Sequence, residues 1–125
     1  MPQYMLAFYA DENSVEDTPA RRAELPLWQE LNKSLREAGL LVANGQLSPA
    51  GSATTVHVRD DRTELTDGPF AITKEYLAGY YVLDCADLDE ALKYATRMPL
   101  ARYGWIEVRP IMAGGATPSP RPRIP

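Results

Sequence analysis

Two short runs limit what this chain can fold into. Residues 4–10 read YMLAFYA and residues 77–83 read LAGYYVL. Apolar side chains occupy successive positions in both, so an extended backbone presents them to both of its sides. Such runs are short for a buried helix and suit strands at the centre of a sheet. Any fold of this chain therefore has to cover both faces of the sheet that holds these strands.

The segments between them supply the other elements. Leu27, Leu31, Leu35 and Ala38 recur at helical spacing with Trp28 beside them, and Gln29, Glu30, Lys33, Arg36 and Glu37 take the remaining positions. That pattern predicts an amphipathic helix. Pro26 suits its first turn, residues 20–25 add an earlier turn, and Gly39 stops it. Residues 40–46 read as a short extended segment and residues 47–52 as a loop with Pro49 and Gly51. Residues 53–59 set Thr54, Val56 and Val58 against Thr55, His57 and Arg59, which predicts a half-buried strand. Residues 60–62 turn the chain, residues 63–66 return it, and Asp67-Gly68-Pro69 breaks the strand. Asp87 and Glu90 have the spacing of a capping box. The stripe of Leu88, Ala91, Leu92 and Ala95 then predicts a second helix, ended by Pro99. Last, Ile106 and Val108 alternate with Trp105, Glu107 and Arg109 as in a strand.

This order predicts a ferredoxin-like α+β domain over residues 1–111. It is a β-α-β-β-α-β chain with an inserted β-hairpin and an antiparallel sheet carrying both helices on one face. Residues 112–125 read as a proline-rich C-terminal tail: five of the eleven prolines lie from Pro110 onward. Two helices cover one face only, yet the central strands are apolar on both and Trp105 lies opposite Ile106 and Val108. In so short a chain a second copy is the simplest cover, so the expected assembly is a homodimer joined through the open sheet face.

Charge and cysteine content narrow the function. The 125 residues carry a net charge of −4. An acidic chain lacks the basic surface that neutralises phosphates, which argues against nucleic acid and anionic membrane surfaces as partners. No apolar stretch approaches the roughly 20 residues of a membrane span. The single cysteine, Cys85, cannot close an intramolecular disulfide, and no secretory signal pattern opens the chain, so the expected location is the cytoplasm.

Residues 67–75 read DGPFAITKE. This resembles the signature of the YCII-related family, in the branch called the DGPF domain, whose common form is DGPFAETKE; Ile72 stands in place of the usual glutamate. The opening YMLAFYADE, the strand ATTVHVRD, the strand LAGYYVLD, the helix DLDEALKYATRMP and the closing IEVRPI match as well, so the resemblance spans roughly residues 3–111. It implies a dimeric α+β barrel of ferredoxin-like subunits. Some relatives pair a histidine in the first helix with an aspartate before a proline near the end of the second, as a proposed catalytic dyad, and one removes chloride from a chlorinated hydroxyquinone. In this chain the first helix has no histidine and the residue before Pro99 is Met98. That chemistry is therefore not implied here. Members of the branch are often encoded near sigma factors, which hints at regulation.

Three groups of residues are candidates for chemistry. Asp67, Thr73, Lys74 and Glu75 gather polar groups around a rigid Gly68-Pro69 turn that can orient a small polar ligand or move a proton. The same segment also reads as a stiff structural turn in which Phe70 plugs the core. Tyr80, Tyr81, Trp105 and Arg109 can line a pocket between the sheets of a dimer, or simply fill the interface. His57 is the only imidazole, with no nucleophile or orienting acid nearby in sequence. One histidine and one cysteine fall short of the ligands of a structural zinc site, Asp60, Asp61, Asp87 and Asp89 read as a turn and a helix cap rather than a metal site, and no phosphate-binding loop is present, so no cofactor is expected. Two functions follow. One is a small-molecule site at the open sheet face, with enzymatic activity undecided. The other is a non-catalytic interaction or regulatory module that uses the Ser119-Pro120-Arg121-Pro122 stretch.

Overall fold

The computed structural model describes residues 2–15, 18–71 and 73–112. The tail expected over residues 112–125 lies outside them except for Met112, as does Ile72 of the DGPF segment. The elements run β1 (Gln3–Asp11), α1 (Glu12–Val15), α2 (Pro19–Arg22), α3 (Leu25–Glu37), β2 (Leu41–Gln46), β3 (Thr54–Arg59), β4 (Arg62–Asp67), β5 (Glu75–Asp84), α4 (Leu88–Ala95) and β6 (Trp105–Pro110). A four-stranded antiparallel sheet has the order β2-β5-β1-β6, and β3 and β4 form a separate hairpin. This is the ferredoxin-like α+β arrangement with an inserted hairpin.

The two runs that are apolar on both faces form the inner strands. β1 pairs with β5 along its length and with β6 on its other edge. Alternation then sorts the side chains. Tyr4, Leu6, Phe8 and Ala10 join Tyr81, Leu83, Ile106 and Val108 in the core beneath the helices. Met5, Ala7 and Tyr9, with Tyr80 and Val82 across the register, point to the opposite face. A bulge between Phe8 and Tyr9 leaves Ala78 without a register partner.

Both helices lie on the first face, and their ends follow local rules. Pro26 sits in the first turn of α3. At the other end Gly39 has φ +71, with its N–H donating to the Arg36 carbonyl and the Leu40 N–H to the Leu35 carbonyl, each at 3.0 Å. This paired pattern is a Schellman cap, and both Leu35 and Leu40 are buried in the core. Asp87 caps α4 by accepting from the Glu90 N–H at 2.9 Å, while the Glu90 carboxylate accepts from the Ala86 N–H at 2.9 Å.

Packing corrects four expectations about buried side chains. The inner stripe of α3 is Trp28, Leu31 and Leu35, and Leu27 is turned out. On α4 only Ala91 and Ala95 are buried; Leu88 and Leu92 are exposed, and Met98 fills the core beyond the helix end. Small residues let α4 sit close to β1 and β6, where larger side chains would hold it off. Phe70 does not plug the core: it is 91% exposed. The β3–β4 hairpin is not half-buried either, since Val56, Val58 and Leu65 are all exposed. It is held by its own ladder and by a two-residue turn in which Asp60 and Asp61 both have positive φ, the geometry that matches strand twist.

One close approach closes the fold behind α4. After the short 3₁₀ turn at Pro99–Arg102, Gly104 lies against β1 so tightly that a Cβ would sit 2.5 Å from the Tyr9 carbonyl oxygen and 2.7 Å from Leu100 Cδ2. Gly104→Ala is expected to destabilise the protein by about 1–3 kcal/mol, the usual cost of overpacking. Gly51→Ala, whose Cβ would meet nothing within 4 Å, is the control and should be near neutral. Urea unfolding of both variants tests this; equal midpoints would show that the Gly104 contact is not limiting.

Candidate functional site

A cleft of about 830 Å³ opens on the helix-bearing side of the sheet, under the N-terminal half of α3. Its floor is aromatic. Phe8 of β1 and Tyr81 of β5 stack with centroids 5.4 Å apart, and Trp28 of α3 lies 5.8 Å from Phe8 and 6.2 Å from Tyr81. These residues meet because Leu6 is the register partner of Tyr81, which puts Tyr81 diagonal to Phe8 on one face. Trp28 descends from the inner stripe of α3. Beside them Gly79 lacks a side chain, and its backbone sits where a Cβ would be 2.8 Å from the Gly45 carbonyl oxygen.

Uncharged polar groups edge the floor. The Tyr81 hydroxyl donates to Asn32 Oδ1, and the Asn44 side chain of β2 also hydrogen-bonds the Tyr81 hydroxyl. Burial raises the Tyr81 pKa above that of an ordinary phenol, against the opposing pull of Asn44, Asn32 and the Arg36 charge, so the hydroxyl stays protonated at neutral pH.

Two of the charged residues of the cleft, Arg21 and Glu24, are tied to one another at its rim. Arg21 Nη1 lies 2.7 Å from Glu24 Oε2, and the Arg21 guanidinium stacks 3.5 Å from the centroid of the Tyr103 ring. The Tyr103 hydroxyl donates to Glu24 Oε1 at 3.1 Å. Burial and the Glu24 charge raise the Tyr103 pKa, while Arg21 opposes them. Glu12 Oε1 accepts from the Ala50 N–H at 2.5 Å, which ties the start of α1 to the loop after β2. This cluster joins segments that are 79 residues apart in sequence between Glu24 and Tyr103.

The residues singled out from sequence fall in three places. Tyr81 is in the cleft. Trp105 and Arg109 are on the open face of the sheet, as register partners of Tyr9 and Met5, and Tyr80 points there too. Tyr81 therefore shares no pocket with them within one chain, because adjacent residues of a strand face opposite ways. Arg109 is engaged by Glu107 of the same strand at 3.1 Å. The DGPF segment makes a third location, at the base of the hairpin. Asp67 ends β4 and is exposed, Gly68 has φ +100 with its N–H donating to the Ala53 carbonyl at 2.7 Å, and Thr55 Oγ1 donates to the Gly68 carbonyl at 2.8 Å. Thr73 Oγ1 donates to the Glu75 carbonyl at 2.5 Å, Lys74 is exposed, and Glu75 opens β5 opposite Asp11. The turn is held by backbone contacts to β3. His57 faces Glu64 across the hairpin, with Nδ1 3.5 Å from Oε2, in an exposed position. Among the described residues no group of three or more His, Cys, Asp or Glu side chains could hold a metal ion, and no helix is long and apolar enough to cross a membrane.

Sequence reasoning missed Asn32, Asn44 and the Arg21–Glu24–Tyr103 cluster. Asn32 had a readable signal: it sits four residues after Trp28 and three before Leu35, a polar side chain in an apolar stripe. In the rim cluster the Arg21–Glu24 pair had a local signal, opposite charges three residues apart, whereas Tyr103 had none and meets them only through the tertiary fold.

Cys85 is not part of the cleft. It is fully buried, and burial, followed by the nearby charges of Glu90, Asp84 and Asp87, pushes its pKa up to about 11. A thiol that ionises near its ordinary value in the unfolded chain but only near 11 in the folded one binds more protons when folded. Its contribution to stability is therefore expected to fall as pH rises from about 9 toward 11. Native protein should resist a thiol reagent at mildly alkaline pH and react once unfolded; rapid labelling of the native state would contradict this environment.

Comparison with known proteins points to one family. The family model described as "YCII-related domain" matches residues 2–113. An uncharacterised protein of Rhizobium meliloti (strain 1021) is 38% identical over 113 residues, covering 86% of this chain and 90% of its own length.

Proposed function

This chain belongs to the YCII-related family, and from that premise we propose that it binds a small molecule in the cleft beneath α3 while its open sheet face is covered by a second copy of itself. The aromatic floor carries this reading. A cavity of about 830 Å³ lies within the usual size of small-ligand sites, roughly 300–1,000 Å³. Its lining combines flat apolar rings with a few placed polar groups, which is the composition such sites share. Tyrosine, tryptophan and amide side chains suit binding, and the hydroxyl–carboxylate contact of the lining, Tyr103 to Glu24, keeps its phenol protonated, since burial and the Glu24 charge raise the Tyr103 pKa. Binding is therefore the reading, ahead of catalysis. The site assigned here is on the other side of the sheet from the open face at which Trp105 and Arg109 stand.

A thermal-shift panel of phenols, quinones, amides and carboxylates tests the cleft. A ligand at 100 times its dissociation constant should stabilise the protein by about 2.7 kcal/mol, and Trp28→Ala should abolish the shift. A ligand whose shift survives Trp28→Ala but disappears in Asp67→Ala or Arg109→Ala would move the site to the DGPF turn or the open face.

The second copy rests on exposed apolar surface. Trp105 is 69% exposed on a face it shares with Met5, Tyr9 and Tyr80. Light scattering at micromolar concentration should return twice the chain mass, and Trp105→Glu should shift the protein toward monomer, since a charge buried in an apolar contact is costly. A monomeric parent protein would remove the dimer. It would favour instead an interaction or regulatory module, for which the exposed cross-strand pair of Val56 and Leu65, with Val58 beside it, is the supporting observation.

A further inference from the structure

The charged side chains that line the cleft are already engaged within the chain, and this bears on what the cleft accepts. Its charged lining residues are Glu12, Arg21, Arg22 and Glu24, two of each sign. Arg21 is held by Glu24 and by the face of Tyr103. Glu24 receives both Arg21 and the Tyr103 hydroxyl. Glu12 receives the Ala50 N–H. Arg22 also has an interaction within the chain. The Arg36 charge that acts on Tyr81 stands outside the lining on an exposed side chain, so among the lining residues an entering carboxylate or phosphate meets no cation without a partner. Such an anion would have to separate Arg21 from Glu24, leaving a partly buried carboxylate without its partner, or lose its water beside Glu12 and Glu24.

The uncharged groups are arranged differently. Asn32 from α3 and Asn44 from β2 both reach the Tyr81 hydroxyl at the edge of the ring floor. The Tyr81 proton goes to Asn32 Oδ1, which leaves the Asn32 amide N–H groups to donate. Asn44 likewise carries both a donor group and an acceptor. An edge of amides beside stacked rings matches a flat ligand that offers carbonyl, amide or hydroxyl groups.

We propose that the cleft selects flat, ring-containing molecules that are uncharged at neutral pH and present an amide, carbonyl or hydroxyl edge, and discriminates against the corresponding carboxylates. This rests on the cleft being a small-molecule site. The ring packs against Trp28, the least buried of the three aromatic side chains, with Phe8 and Tyr81 beneath it, and the polar edge is read by Asn32 and Asn44. A site that hydrogen-bonds a neutral edge rejects a mismatched partner strongly, because buried polar groups are then left unpaired.

Two pairs of near-isosteric probes separate shape from charge: 4-hydroxybenzamide against 4-hydroxybenzoate, and nicotinamide against nicotinate. Titration follows the fluorescence of Trp28 in a Trp105→Phe background, where Trp28 is the remaining tryptophan. The neutral member of at least one pair should bind about tenfold or more tightly than its carboxylate, and Asn44→Leu should remove that preference. Glu24→Gln keeps an acceptor for Tyr103 but releases Arg21, so this variant should gain about tenfold in affinity for the carboxylate. Circular dichroism confirms that each variant is folded. Equal affinities within both pairs, or tighter binding of the carboxylates to the unaltered cleft, would overturn the selectivity and leave the cleft as a binding site. Binding by neither pair, together with a flat thermal-shift panel, would remove the cleft reading itself and the selectivity with it.

Discussion

The antiparallel pairing of β1 with β5 is the constraint on which the rest of the molecule depends. Once Tyr4 stands opposite Leu83 and Leu6 opposite Tyr81, every other residue of both strands is committed to one face. The helix-bearing face receives Leu6, Phe8, Tyr81 and Leu83, and with them the core. The opposite face receives Met5, Ala7, Tyr9, Tyr80 and Val82. A slip of one residue would exchange these sets and place Tyr81 where Trp105 stands. The ladder thus determines more than the fold, since it decides which aromatic residues can ever act together.

The cleft arises where coverage of that face is incomplete. α3 packs through Leu31 and Leu35, while beside the aromatic floor met by Trp28 the strand β5 carries two small residues. These are Gly79 and Ala78, and their small size leaves the space that the Phe8, Trp28 and Tyr81 rings enclose. The N-terminal end of the helix is pinned by Arg21, Glu24 and Tyr103, so the rim is built from contacts between segments that fold far apart in the chain. An ion pair this close to the surface adds little stability by itself. Its consequence is geometric and electrostatic: it holds α2 against the turn that follows α4 and neutralises the charge at the entrance.

The hairpin and the open face share a different character. Val56, Val58, Leu65 and Trp105 are large and exposed, and an isolated two-stranded hairpin gains little from its own ladder. Apolar residues so placed are informative because they follow a strand pattern that normally implies cover. For Trp105 the helices within one chain cannot supply it, since both lie on the far side of the sheet. The second copy proposed for the open face would supply it from outside the chain.

Much of this was legible in the sequence by itself. The doubly apolar runs identified the central strands, Gly39 and the Asp87–Glu90 box marked helix ends, and the element order led to the ferredoxin-like arrangement. The DGPF signature pointed to the family. These features are local or periodic, so backbone geometry and burial period are enough to read them. What the sequence left open was decided by tertiary structure. Tyr80 and Tyr81 are neighbours, and only the register says which enters the cleft. Leu27 and Leu92 have the spacing of core residues, yet helix rotation on the sheet turns them out. Asn44 and Tyr103 carry no local signal, and they join Asn32 and the Arg21–Glu24 pair only after β2, α2 and the turn beyond α4 are brought around one sheet. Local propensity determines which elements form, whereas the side of the sheet each residue meets depends on pairing and packing across the whole chain.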